Sequence, residues 1–408
     1  MNKKQVLYIS YDGMTDPLGQ SQVLPYLVGL SKEGFQFTLV SCEKKERYSK
    51  NKSIIEDICF QYNIDWKPIF YTKTPPVFST VWDIIKLNKR AKKLHQKKQF
   101  QLIHCRSYIP SLIGLAFKQK YGVKFIFDMR GFWADERVDG GIWNLKNPLF
   151  KQVYKYFKKK EKEYLTHADK IISLTDNGKK EMLNWDIPNL YAEKITVIPC
   201  AADYNLFELV TSDKKEKAKY NLNLNNDEFV LSYIGSLGTW YLVDEMLLFF
   251  SILKSKYQDA KFLIITPDDK KTIFDLGSKY KLEPEDFRIQ FVQRNQLPMV
   301  AYASNVSIFF IKPSYSKKAS SPTKMGELLA MGIPIICNNN VGDVEEIINT
   351  TGGGFCITEM NEANFTKIVD SLEQFADFIG SHVREKSRDY YDLQKGLNLY
   401  ISVYKELF

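Results

Sequence analysis

Short runs of β-branched and apolar residues, each bounded by Gly, Asp, Ser or Pro, alternate with helix-length segments along most of the chain, and they do so in two successive blocks. The first block has strand candidates at Val6–Ser10, Phe35–Ser41, Ile64–Phe70, Leu102–Cys105, Lys124–Asp128, Lys170–Leu174 and Ile195–Ile198, with helical segments such as Val81–His95 and Tyr108–Tyr121 between them. Strands that alternate with helices predict a parallel sheet covered on both faces, the doubly wound arrangement. After Pro199-Cys200-Ala201-Ala202-Asp203 the sequence turns polar, with Lys214, Lys215, Lys217, Asn221, Asn223, Asn225 and Asn226. A second alternation then begins at Phe229–Ile234 and continues through Lys261–Ile265, Arg288–Val292, Val306–Ile311, Ile333–Cys337 and Gly354–Ile357. The fold class expected is therefore α/β, with two Rossmann-like domains at 1–205 and 206–385. The 408-residue length agrees, being more than one core usually supports. Leu393, Leu397, Tyr400, Ile401, Tyr404 and Leu407 recur at helical spacing, so segment 386–408 is read as an amphipathic helix.

Several classes are disfavoured early. The basic opening Met1–Gln5 leads into an apolar run that meets Asp12 at once, too short for a signal segment. No apolar run approaches the roughly 20 residues that a spanning helix needs. The six cysteines are scattered without a C-x-x-C pair, which suits reduced thiols in a cytoplasm and indicates neither a zinc site nor a disulfide framework. The net charge of +9 gathers in two clusters of the first block: Lys86, Lys89, Arg90, Lys92, Lys93, Lys97 and Lys98, then Lys151, Lys155, Lys158, Lys159, Lys160 and Lys162. Each reads either as a solvated helix face or as a surface drawn to anionic lipid headgroups. A nucleic-acid-binding protein is the less favoured alternative, since these clusters lie on helices away from the strand ends. The expected location is cytoplasmic, with peripheral attachment to the inner face of the plasma membrane as the sharper form.

Ligands of an open α/β sheet bind beyond the carboxyl ends of its strands, so those loops supply the candidate residues. Gly19 precedes a predicted helix Gln22–Leu30 and would let a ligand approach the backbone. His104 and Arg106 share a strand face two residues apart, and Asp128, Arg130 and Trp133 follow the next strand. In the second block Gly235 and Ser236 lie at a strand end. The segment Ser320–Pro334 predicts a short helix capped by Ser321, opened by Pro322 and stopped by Gly332. The N–H groups of that helix, from Thr323 onward, would receive a diphosphate, with Lys324 adding a full charge. Glu327, one turn on, could accept hydrogen bonds from ribose hydroxyls. Gly326 and Ala330 beside it would let backbone and ligand come close. There is no Walker A loop and no G-x-G-x-x-G fingerprint.

Taken together, the Gly19 loop, His104, Asp128-Met129-Arg130-Gly131, Ile198-Pro199, Gly235 and the Glu327 helix resemble the retaining family 4 glycosyltransferases of GT-B type, over essentially the whole chain. The resemblance implies two domains facing across a cleft, the nucleotide-sugar donor in the second, the acceptor in the first, and a last helix returning to the first. It also implies retaining hexosyl transfer from a UDP- or GDP-linked sugar to a glycan or lipid-linked glycan, as in capsule or lipopolysaccharide synthesis. His104, Lys324 and Arg130 are then the catalytic candidates. Gly19, Gly235, Ser236, Arg294, Ser321, Thr323, Lys324 and Glu327 would hold the donor, and Asp128, Arg106 and Trp133 the acceptor. No D-x-D triplet occurs, so transfer without a metal or other cofactor is expected. Two positions depart from the family pattern: Ala319 stands where the first of two Glu residues is usual, and Ser236 where an Arg is common. These departures also fit a catalytically silent partner subunit. Otherwise the charge that meets the leaving diphosphate comes from Lys324, helped by Arg294 or Arg130.

Overall fold

The structure, a computed structural model, describes residues 4–373 and 380–408. Two compact units emerge. One takes in the chain up to Pro199 together with Tyr315–Ser320 and Gln394–Phe408, and the other comprises Cys200–Ser314 and Ser321–Leu393. The divisions thus fall at Pro199 and Leu393 rather than at residues 205 and 385, and a short strap, Tyr315–Ser320, is added to the first unit.

In the first unit, β1 (Lys4–Ser10), β2 (Phe35–Glu43), β3 (Asp65–Trp66), β4 (Ile69–Phe70), β5 (Leu102–Arg106), β6 (Lys124–Asp128), β7 (Lys170–Ser173) and β8 (Ile195–Val197) make one sheet. Its order is β3-β2-β1-β5-β6-β7-β8, with β4 also on β2, and the pairings are parallel. The strand expected over Ile64–Phe70 is two short pieces separated at Lys67-Pro68, because Pro68 has no N–H for the ladder. The order reverses at β1 and β5, which makes the crevice beyond their carboxyl ends the natural site of this unit.

Eight α-helices accompany this sheet before residue 199 among the described residues: α1 (Pro17–Gln22), α2 (Leu24–Lys32), α3 (Lys45–Gln61), α4 (Phe78–Lys98), α5 (Tyr108–Tyr121), α6 (Trp133–Asp139), α7 (Pro148–His167) and α8 (Asp176–Leu183). The single helix expected from Gln22 is instead the pair α1 and α2, broken at Val23 just before Pro25. One sheet face, with Leu7, Ile9, Ile103, Cys105, Phe125 and Phe127, packs under α4, α5 and α7. The opposite face carries Tyr8 and His104 and is covered by the C-terminal helix Leu393–Lys405, whose Tyr404 reaches His104. That helix packs in turn on α2, where the Tyr26 and Tyr400 rings lie 4.8 Å apart.

In the second unit, β9 (Val230–Ile234), β10 (Lys261–Ile265), β11 (Phe287–Gln290), β12 (Val306–Phe309), β13 (Ile335–Asn338) and β14 (Gly354–Ile357) form a parallel sheet in the order β11-β10-β9-β12-β13-β14. The reversal here is at β9 and β12. Phe249, Phe250, Leu253, Ile264, Ile308, Leu329 and Ile336 belong to its core. The helix Thr323–Ala330 is followed by Gly332 at φ +71°, the left-handed stop that the sequence predicts. Helix Gly380–Tyr391 packs on it so closely that a Cβ at Gly326 would stand 2.8 Å from the Tyr391 ring. Gly326 therefore serves this helix contact and not the approach of a ligand.

Candidate active site

At the carboxyl edge of the first sheet, strand register sets His104 beside Tyr8 and Arg106 beside Asp128. Asp128 is 1% exposed and has basic side chains on three sides: His104 Nε2 at 3.5 Å, Arg130 Nη1 at 3.7 Å and Arg106 Nη1 at 3.8 Å. Burial pushes the Asp128 carboxyl up, but Arg130, His104 and Arg106 together hold it below the usual carboxylate range. His104 is 1% exposed and its Nδ1 lies 2.7 Å from the Tyr404 hydroxyl. Burial lowers its pKa, against the pull of Asp128, so the ring is neutral at physiological pH. The structure thus brings His104, Arg106, Asp128 and Arg130 together, but as an enclosed group. Arg106 also reaches Asp12, with Nε 3.4 Å from that half-exposed carboxylate.

Two first-unit candidates take other roles. Gly19 lies inside α1, where a Cβ would stand 2.2 Å from the Gly13 carbonyl oxygen, so it accommodates the chain's own turn and not a ligand. Trp133 packs among Tyr108, Trp143 and Phe157, with ring centroids 4.9–5.6 Å away, partly buried against the core. Sequence reasoning also passed over Glu43, a fully buried carboxylate that accepts from the Met14 and Thr15 N–H groups and the Ser41 and Thr15 hydroxyls. It fixes the loop after β1. Only its place at the end of an apolar strand could have flagged it.

The strap Tyr315–Ser320 explains the first departure from the family pattern. Lys317 pairs with Glu136 at 2.8 Å, Lys318 with Glu181 at 3.0 Å, and Thr175 donates to the Lys318 carbonyl at 2.9 Å. Ala319 is 2% exposed, and a Cβ on Gly178 would already come within 3.0 Å of its own. A carboxylate at position 319 has no room there.

In the second unit the loops after β9 and β11 and the Thr323 helix supply the candidates. Gly235 holds φ +150°, and the exposed Ser236 accepts the Tyr233 hydroxyl through its carbonyl at 2.6 Å. Ser321 is not the cap expected: Pro322 occupies that place without a side-chain cap, and the Ser321 hydroxyl accepts from the Cys200 N–H at 3.2 Å. Thr323 opens the helix half-buried. Glu327 is fully buried, with one oxygen bound by Arg294 and the other 3.4 Å from Lys324 Nζ. Its carboxylate therefore already has two partners and does not project to solvent as an open acceptor. The cations on it are less enclosed, Arg294 at 26% and Lys324 at 34% side-chain exposure. Arg294 also lies over the Phe207 ring at 5.1 Å. Buried anion and reachable cations make this cluster able to receive a second anion from outside. No group of three His, Cys, Asp or Glu arranged to hold a metal ion occurs among the described residues.

Comparison with known proteins agrees with both halves. The family model described as Glycosyltransferase Family 4 matches residues 22–206, and that described as Glycosyl transferases group 1 matches residues 214–377. The chain belongs to the family 4 glycosyltransferases of GT-B type. It is similar to the capsular polysaccharide biosynthesis glycosyltransferase CapM of Staphylococcus aureus, 23% identical over 216 residues that cover 52% of this chain and 54% of CapM. The match thus spans about half the length of that relative. Among solved structures, a glycosyltransferase from Rickettsia africae superposes with a TM-score of 0.72 at 16% identity, covering 100% of this chain and 99% of that one. Anabaena HepE, in complex with UDP and glucose, does so with a TM-score of 0.67 at 13% identity, covering 98% and 99%.

Proposed function

We propose that this glycosyltransferase moves a hexosyl group from a UDP- or GDP-linked donor held by the second unit to a glycan or lipid-linked glycan held by the first. Transfer is retaining and needs no metal. The observation that carries this reading is the Glu327–Arg294–Lys324 cluster on the Thr323 helix, inside the segment matched as Glycosyl transferases group 1. The bond from the anomeric carbon to the diphosphate breaks, the acceptor oxygen bonds that carbon on the same face, and the acceptor proton passes to the departing phosphate oxygen. Lys324, Arg294 and the first N–H groups of the helix, from Thr323, stabilise the charge that develops on the diphosphate. Arg294 takes the part that an Arg at position 236 would play. As the two cations turn to the diphosphate, Glu327 is released to accept from the ribose. In the first unit Arg106 and Arg130 bind the acceptor, and His104 is a positioning residue that holds Asp128 and through it both arginines. The name of the capsular relative supports a role in cell-surface polysaccharide synthesis at the cytoplasmic membrane face, and the UDP in HepE supports a uridine donor.

The test is incubation with a panel of UDP- and GDP-sugars in EDTA, following released nucleotide and the anomeric configuration of the product. Release of one nucleotide with the donor's configuration kept is expected. An inverted product, or a requirement for added metal, contradicts the proposal. The absence of turnover with every donor, together with retained nucleotide binding, would favour the silent-subunit reading that Ala319 and Ser236 motivate.

A further inference from the structure

Helix α4 (Phe78–Lys98) buries one side and leaves a stripe uncovered. Asp83, Leu87, Ala91 and Leu94 face the interior. On the opposite side Phe78, Val81, Trp82 and Ile85, at the i, i+3, i+4, i+7 spacing of one helical stripe, are 68, 49, 57 and 51% exposed. Four large apolar side chains within two turns exceed the scattered exposure that any surface shows. The same stripe continues as Lys89, Lys92 and Lys93, flanked by Arg90, all exposed. Of the cations on this helix, Lys86 pairs with Asp83 and Lys98 with Asp65, whereas Lys89, Arg90, Lys92 and Lys93 have no ion-pair partner among the described residues. In the same helical layer, α5 lies beside α4 and α7 beside α5, and α7 turns out Lys151, Lys155, Lys159 and Lys162 with half-exposed Leu149 and Tyr156. The layer therefore joins an apolar stripe to an unneutralised basic field.

We infer that this face docks on an anionic lipid bilayer. Phe78, Val81, Trp82 and Ile85 enter the boundary between headgroups and acyl chains, and Lys89, Arg90, Lys92 and Lys93 lie on the headgroup phosphates. A helix that presents aromatic and aliphatic residues beside lysines is the form that lies in a membrane interface. The charge excludes a purely apolar partner, since the lysines would be desolvated without compensation. The inference deepens the lipid-linked acceptor reading but is measured apart from it, because vesicle binding is observed without turnover.

The experiment is sedimentation of the full chain with phosphatidylcholine vesicles, with and without about one third phosphatidylglycerol, a load that gives the negative surface potential on which lysines near a membrane act. Binding only to the anionic vesicles, weakened by salt, is expected. Reversing three charges in Lys89→Glu/Lys92→Glu/Lys93→Glu should lower partitioning by on the order of a hundredfold. Phe78→Ser/Trp82→Ser should lower it at least about tenfold, with melting temperature and turnover on a water-soluble acceptor unchanged. Equal binding of wild type and both variants, or no binding of wild type, overturns the inference. So does a concentration-dependent dimer that Phe78→Ser/Trp82→Ser abolishes while vesicle binding persists, which would assign the stripe to a second copy of the chain.

Discussion

Asp128 in the first unit and Glu327 in the second are the same device built to different depths. Each is a buried carboxylate, Asp128 at the end of β6 and Glu327 in the Thr323 helix, and each is met by basic side chains. Around Asp128 the partners His104, Arg106 and Arg130 are 2, 5 and 8% exposed, whereas Arg294 and Lys324 around Glu327 are 26 and 34% exposed. Charge sealed on every side fixes a loop, while charge reachable from one side can change partners. On the proposed reading, the reachable cations of the second unit exchange partners with the diphosphate, while the carboxylate of the first unit holds Arg106 and Arg130 in place.

The largest effect should come from breaking the sealed member. Asp128→Asn strands two nearly buried guanidinium groups and removes the partner of the neutral His104 ring, and is expected to cost about 3–5 kcal/mol. At about 2–4 °C per kcal/mol that is on the order of ten degrees of melting temperature, read by thermal denaturation. A loss of a degree or two would mean that water reaches the cluster and the contrast fails. Lys324→Ala is expected to leave melting within about 2 °C while lowering kcat by about 10²–10³-fold, the usual cost of removing one group that stabilises developing charge. Equal loss of stability and rate would make Lys324 a structural partner of Glu327 only.

A smaller effect tests the strap. Ala319→Glu restores the family's usual residue but overfills the space against Gly178, at a cost of about 1–3 kcal/mol, so it should lower the melting temperature without raising turnover. A gain in turnover would show that the strap can leave this packing. The smallest effect concerns pH. The folded pKa of His104 lies below its unfolded value, so the unfolded chain binds the extra proton as pH falls through the unfolded value of about 6.5, and stability is full above that value and declines below it. Chemical denaturation from pH 7.5 to 5 should show that decline in the wild type and a flatter profile in His104→Asn.

How much of this was legible in the sequence depended on how local the cause was. Strands such as Lys124–Asp128 and Lys261–Ile265 could be read to the residue, because a parallel strand buried on both faces is an apolar run with polar ends. The Gly332 stop and the helical spacing from Leu393 were legible for the same local reason, but the single helix expected over 386–408 is two, Gly380–Tyr391 and Leu393–Lys405. The candidate site was legible only as a set of strand ends. The role of His104 depends on Tyr404, 300 positions later, and that of Glu327 on Arg294, 33 positions earlier. Trp133 looked like a ligand platform because its partners Trp143 and Phe157 sit on segments whose packing no periodicity announces. Gly19 was misread because the backbone that needs it is its own turn at Gly13.

The central claim is that the exchangeable charge resides on Arg294 and Lys324. Calorimetric titration of UDP and GDP, in EDTA, into the wild type and into Arg294→Ala/Lys324→Ala tests it most directly. Tight binding of one nucleotide by the wild type and a loss of at least tenfold in the variant, with the fold intact by circular dichroism, is the result expected. Undiminished binding in the variant would contradict the account and move the diphosphate site away from the Thr323 helix.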